Sequence, residues 1–315
     1  MCFSLSGSAM PHRSTTFHVP VLLEPVVAAA DKACRAVDAT LGDGGHAAAL
    51  LELGMQVLGI DRDPEALTIS RARLGENRIQ YLLAPFASSE AMAAVQKFRA
   101  DFILLDLGVS SRQLDQEARG FTFRPGAPLD MRMGASGLSA ADILNTAPAG
   151  ALETLFRDQG DERRARRLAT EIVRRRTRQP FTTSDDLVNA IRATLGAKAG
   201  PSEFARLFQA VRMAVNDEAG QLTRALSAFR DALNPGGRLS IITYHSGEDR
   251  LVKQAFRDWA RSCVCPPELP VCICRGRALG RVEPRKPILP GPNELAVNSR
   301  ARSAKLRIFQ TDDAA

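Results

Sequence analysis

Long apolar runs are what this chain most clearly lacks. None reaches the ~18 residues that a membrane-crossing helix needs, so no such helix and no membrane partner is expected. No secretory leader is expected either, because residues 1–12 hold no basic segment ahead of an apolar core. Organised pattern begins only near Phe17, which leaves Met10 as an alternative start. Nothing in the composition suggests disorder, and the compartment expected is the cytoplasm. Disulfides are rare there, so none is expected among the six cysteines.

What is present is length, positive charge and glycine. The 315 residues are ample for one elaborated domain or two. The net charge of +7 is concentrated. Residues 161–178 carry eight arginines against three acids, and residues 275–307 carry nine Lys/Arg against two acids. The rest of the chain is net negative. Two basic patches on an otherwise acidic body suggest a polyanion partner, although solvated charged faces would look the same. Four of the cysteines form two Cys-x-Cys pairs, Cys263/Cys265 and Cys272/Cys274. They could supply four thiolates to Zn²⁺, but the spacing departs from the usual C-x₂-C knuckle. Four reduced cysteines shaping a proline-rich loop is the other reading, and no metal ligand is assigned.

The chain is organised around Ala36-Val-Asp-Ala-Thr-Leu-Gly-Asp-Gly-Gly-His46. A short apolar strand ends in an acid, a glycine-dense turn follows, and an Ala/Leu-rich helix begins. Glycines let a backbone approach a ligand, and a helix start presents unpaired N–H groups. The next strand, 56–60, ends at Asp61, whose carboxylate could accept ribose hydroxyls. Gly42-Asp-Gly-Gly-His-Ala47 fits G-x-G-x-x-G/A, so NAD and S-adenosylmethionine are both compatible with these residues, as is a turn that binds nothing.

Further strands are expected at 79–83 and 102–107, separated by helices at 64–74 and 88–98. Strands alternating with helices imply a parallel sheet whose ligands lie at the strand C-termini. The third strand leads to Phe86, placed to flank an adenine or to serve as core, and the fourth to Asp106-Leu-Gly-Val-Ser-Ser111. From residue 112 to about 215 no strand is expected. Helices are read at 140–145, 152–158, 162–176, 184–195 (with Ser184 as cap) and 203–215. A long helix at 217–233, a turn, a fifth strand at 238–244, a helix at 248–260 and a last strand at 304–310 complete the chain. The domains expected are a discontinuous α/β domain, 1–113 with 214–315, and an all-helical insertion, 114–213.

Several segments, in order along nearly the whole chain, resemble the bacterial 16S rRNA cytosine-N4 methyltransferases, the RsmH or MraW family. They include His18-Val-Pro-Val-Leu-Leu, Gly44-Gly-His46, Gly59-Ile-Asp-Arg-Asp63, Asp106-Leu-Gly-Val-Ser-Ser-Arg-Gln-Leu114, Gly120-Phe-Thr-Phe, Leu129-Asp-Met-Arg-Met133, Asn216-Asp-Glu218 and His245-Ser-x-Glu-Asp-Arg250. The resemblance implies a class I S-adenosylmethionine-dependent fold with an inserted helical domain. It also implies methylation of a cytidine N4 in the decoding region of 16S rRNA within the small ribosomal subunit. It implies cofactor contacts at Gly44, Gly45, His46, Asp61, Phe86, Asp106 and Gln113. Gly247 stands where the family usually has Leu, and Tyr244 where it usually has Phe. No obligate protein partner is inferred.

The chemistry needs the methyl and N4 held in line, and an acceptor for the N4 proton. Asn/Asp-Pro-Pro-aromatic, which many DNA amino methyltransferases place after the fourth strand, is absent, and the Asp106 motif occupies its place. Asp106 and His245 are the catalytic candidates. A cofactor-positioning acid and a loop-orienting histidine are the alternatives. The arginines of 163–178 and the basic C-terminal third are expected to contact phosphates. Phe121 and Phe123 could stack on a base, or be core. Alternatives at the level of the whole protein are another nucleic-acid amino methyltransferase, an NAD-dependent Rossmann enzyme, or a non-enzymatic RNA-binding protein.

Overall fold

The computed structural model describes residues 19–313 apart from 267, 268, 270 and 272. His18, Met10 and Cys272 therefore lie outside the described residues. The chain divides into two compact units, Met1–Gly108 with Gly220–Ala315, and Val109–Ala219.

In the first unit, α1 (Leu23–Ala29) leads to β1 (Arg35–Asp38), α2 (Gly45–Glu52), β2 (Gln56–Asp61), α3 (Pro64–Leu74), β3 (Ile79–Leu83), α4 (Ser89–Phe98) and β4 (Ala100–Asp106). The starts of α3 and α4 follow from their caps. Asp63 accepts the Glu65 N–H ahead of Pro64, and Ser88 accepts the Ala91 N–H.

The second unit is helical: α5 (Ser111–Asp115), α6 (Ala140–Thr146), α7 (Ala149–Thr154), α8 (Ala165–Arg176), α9 (Ser184–Leu195) and α10 (Pro201–Asn216). After α7 the chain makes one wider turn of π-helix, Leu155–Gln159. Thr183, not Ser184, is the cap of α9, exchanging bonds with Asp186. Phe121 and Phe123 pack against the apolar core of this unit, and Phe123 meets Phe204 and Phe208 edge-on.

The first unit resumes with α11 (Glu218–Ala232), β5 (Leu233–Thr243), α12 (Ser246–Trp259), β6 (Gly280–Val282), α13 (Pro292–Val297) and β7 (Lys305–Thr311). β6 and α13 were not expected from the sequence. They are short and carry little periodic pattern. Asn234-Pro-Gly-Gly237 lies inside β5 rather than before it, and the pairing with β4 shifts register there.

The strands form one sheet in the order β3-β2-β1-β4-β5-β7-β6. This is the class I, Rossmann-like methyltransferase arrangement, with one correction to the parallel sheet expected: β7 runs antiparallel to both neighbours. Alternate residues of β4 serve opposite faces. Ile103 and Leu105 join Phe98, Phe229 and Phe256 in one core, while Phe102 and Leu104 join Val26, Leu50 and Leu306 in the other. Burial on both faces explains the continuous apolar run of that strand. No helix among the described residues is long and apolar enough to cross a membrane.

Candidate active site

Because β1, β2 and β4 are parallel neighbours, their C-terminal residues Asp38, Asp61 and Asp106 come to the same end of the sheet, with Asp38 level with Gly59 and Leu104 and the other two acids each two residues further along. The glycine turn leaves β1 at this end. Gly42 and Gly44 have φ of +53° and +75°, a region that favours glycine. A Cβ on Gly44 would come within 2.8 Å of Leu74 Cδ1, and one on Gly45 within 2.5 Å of Pro20 Cγ. Gly44 caps α2 and Gly45 begins it.

Asp61 builds the turn. One carboxylate oxygen accepts the Gly42 N–H and the other the Asp63 N–H, each at 2.8 Å. A carboxylate offers about four lone-pair positions, so it can accept hydroxyl donors as well as main-chain N–H groups. Ser70 donates to the Gly42 carbonyl and Arg73 to that of Asp43, which ties the turn to α3.

Asp38 is 1% exposed and accepts the Thr40 N–H. Burial pushes its carboxyl up to about 6, and the charges of Asp106 and Asp61 push the same way. His46 is buried in α2, with Nε2 2.9 Å from the Val21 carbonyl and Nδ1 4.0 Å from Asp106 Oδ2. Burial holds its imidazole below the ordinary value. The neutral ring that fits donates from Nε2 to Val21 and turns the Nδ1 lone pair toward Asp106.

Asp106 is fixed from three sides. Its main-chain N–H donates to Thr40 Oγ1 at 2.6 Å, its Oδ1 accepts the Tyr244 hydroxyl at 2.8 Å, and Oδ2 faces His46. Only 24% of its side chain is open. Burial lifts the carboxyl to about 7; the Tyr244 bond opposes that rise, and the Glu248 charge adds to it.

His245 is the cap of α12. Its Nδ1 accepts the Glu248 N–H at 3.4 Å, and Nε2 lies 3.0 Å from Glu248 Oε1. Glu248 also accepts the Tyr244 N–H. Phe86 is half-buried after β3 and packs on the core. Gln113 belongs to the second unit, where it is buried and completes a capping box with Ser110.

Three contributors were given no role in the sequence-derived site. Asp38 had a signal, as an acid ending a strand. Tyr244 had only its position after β5. Glu294 had none: it comes from α13 and accepts the Leu22 N–H across 272 residues of chain, and its charge reaches both His46 and Tyr244.

Three acids beside a glycine turn favour a ligand that carries positive charge and hydroxyls. A dinucleotide pyrophosphate would bring further negative charge to the same edge.

Comparison with known proteins agrees. Residues 15–312 match the MraW methylase family. The chain is 55% identical over 309 residues to the ribosomal RNA small subunit methyltransferase H of Gemmatimonas aurantiaca, covering 96% of this chain and 98% of that protein. It is 45% identical over 306 residues to the protein of the same name from Heliobacterium mobile, covering 93% and 98%. With the methyltransferase sheet, the acidic edge and this match along nearly its whole length, the chain belongs to the MraW methylase family.

Proposed function

We propose that this protein transfers a methyl group from S-adenosylmethionine to the exocyclic N4 of a cytidine in the decoding region of 16S rRNA, acting in the cytoplasm on the small ribosomal subunit. The observation that carries this reading is the acidic edge of Asp38, Asp61 and Asp106 beside the glycine turn, within a chain of this family. Bound there, S-adenosylmethionine supplies an electrophilic methyl on a positively charged sulfonium.

The residues divide the work. Gly44 and Gly45 let the backbone lie close to the cofactor. Asp61, already anchoring the turn, takes the ribose hydroxyls, and Phe86 offers a face to the adenine. His46, by holding Val21, keeps the lead-in segment against α2. Gln113 is assigned to the cofactor on the family resemblance.

As N4 forms its new bond to the methyl carbon and the carbon–sulfur bond breaks, leaving its electron pair on sulfur, N4 becomes cationic and must lose a proton. Asp106 is the acceptor proposed. Its Oδ1 is held by Tyr244, its Oδ2 lies 4.0 Å from His46 Nδ1, and burial lifts its carboxyl to about 7. His245, with Nδ1 committed to the start of α12, is assigned a positioning role.

Two basic surfaces suit the RNA backbone. In the first unit Lys253, Arg257, Arg261, Arg281 and Arg285 line a cavity of about 460 Å³. In the second, Arg163, Arg166, Arg167 and Arg178 are exposed. Arg174 and Arg175 instead share Glu171, and Arg176 donates to the Leu144 and Ala147 carbonyls.

The test is nucleoside mass spectrometry after incubation with S-adenosylmethionine and undermethylated small subunits, naked rRNA or DNA. N4-methylcytidine on the subunit is expected. Cofactor binding with no product on any substrate would overturn the substrate assigned.

A further inference from the structure

The segment between α12 and β6 takes no part in the site described. Its base is well tied. The Leu279 N–H donates to the Trp259 carbonyl at 2.8 Å. The Arg275 guanidinium donates to the carbonyls of Asp258, Trp259, Arg261 and Arg277. Beyond that base the described apolar side chains of the segment lie open to solvent. Val271 and Ile273 are 69% and 78% exposed, and Val264 and Leu269 are also exposed.

What the segment gathers is sulfur. Cys263, Cys265 and Cys274 bring their Sγ atoms within 4.8 Å of one another. Cys263 Sγ and Cys274 Sγ are 3.9 Å apart. A tetrahedral zinc site with Zn–S near 2.3 Å separates its sulfurs by about 3.8 Å. The Val264 N–H lies 3.4 Å from Cys274 Sγ, a donor that offsets charge on a metal-bound thiolate.

We propose that Cys263, Cys265 and Cys274 hold one Zn²⁺ ion, which ties this segment together where its described apolar side chains do not pack. Soft thiolates select zinc over Mg²⁺ or Ca²⁺, and so compact a sulfur triangle closes around a single ion. Binding deprotonates three thiols, forms three Zn–S bonds and releases three protons, with no change of oxidation state. A water or a further protein donor completes the tetrahedron. The site is structural and independent of the methyl-transfer reading.

The experiment is elemental analysis of the full chain, purified under reducing conditions and exchanged into metal-free buffer, followed by addition of Co²⁺ to the metal-stripped protein. About one zinc per chain is expected, together with the thiolate-to-cobalt charge-transfer and visible bands of a tetrahedral sulfur site. The Cys263→Ser/Cys274→Ser double variant should lose at least nine-tenths of the bound zinc and both spectral features. Unchanged affinity for S-adenosylhomocysteine shows that this variant is folded. Wild-type protein that binds no zinc and gives no charge-transfer band overturns the proposal without recourse to a variant. So does a double variant that keeps its metal.

Discussion

The Tyr244 hydroxyl donates to Asp106 Oδ1 at 2.8 Å, joining the ends of neighbouring strands β4 and β5. The bond favours the ionised carboxylate and so opposes the burial that lifts Asp106 to about 7. If Asp106 accepts the N4 proton, kcat/KM should rise through neutral pH as it ionises. Tyr244→Phe, which restores the residue usual in the family, should move that limb to higher pH and lower activity at pH 7. A limb that does not move, with activity retained, would remove Asp106 from the proton transfer.

Asp38 gives a stability prediction. Its folded-state value of about 6 lies above the ordinary 3.8. The folded state therefore holds a proton that the unfolded chain has lost, and stability falls as pH rises between these two values. That separation corresponds to about 3 kcal/mol as an upper figure. Without cofactor, Asp38→Asn should unfold at higher denaturant than wild type at pH 8, with the gap narrowing toward pH 4. Urea titrations at both pH values check this, and a gap independent of pH would contradict it.

Gly44 has φ +75°, and an added methyl would meet Leu74. Gly44→Ala should cost about 1–3 kcal/mol through backbone strain. Because the strain falls on the turn, S-adenosylhomocysteine affinity measured by calorimetry should weaken more than stability. Wild-type affinity would show that the turn does not cradle the cofactor.

The arginines of α8 are not equivalent. Arg166→Glu with Arg167→Glu should flatten the salt dependence of RNA binding by ~0.7–0.9 for each phosphate no longer neutralised. Arg174→Gln with Arg175→Gln should leave the slope nearly unchanged, since both side chains serve Glu171. Equal slopes for the two variants would show that pairing within the helix does not decide which arginines meet RNA.

Much of the fold was legible in local pattern. Asp63-Pro64 and Ser88 announce their helices through backbone chemistry confined to a few residues. The apolar run of β4 marks a strand buried on both faces. The glycine turn and the strand-end acids are legible for the same reason: their geometry is set by neighbours in the chain. The antiparallel β7, the short β6 and the turn absorbed into β5 were not legible, because strand direction and edge pairing depend on partners far along the sequence.

The sequence by itself determined the cradle: a glycine turn that only small residues can make, and acids at the ends of apolar strands. Tertiary structure decided what those acids do. Tyr244 meets Asp106 across 138 residues, Glu294 meets Leu22 across 272, and Cys263 comes near Cys274 beside a loop base held by Arg275. Burial and through-space charge set the protonation of Asp38 and Asp106, and both depend on which distant segments the fold packs around them.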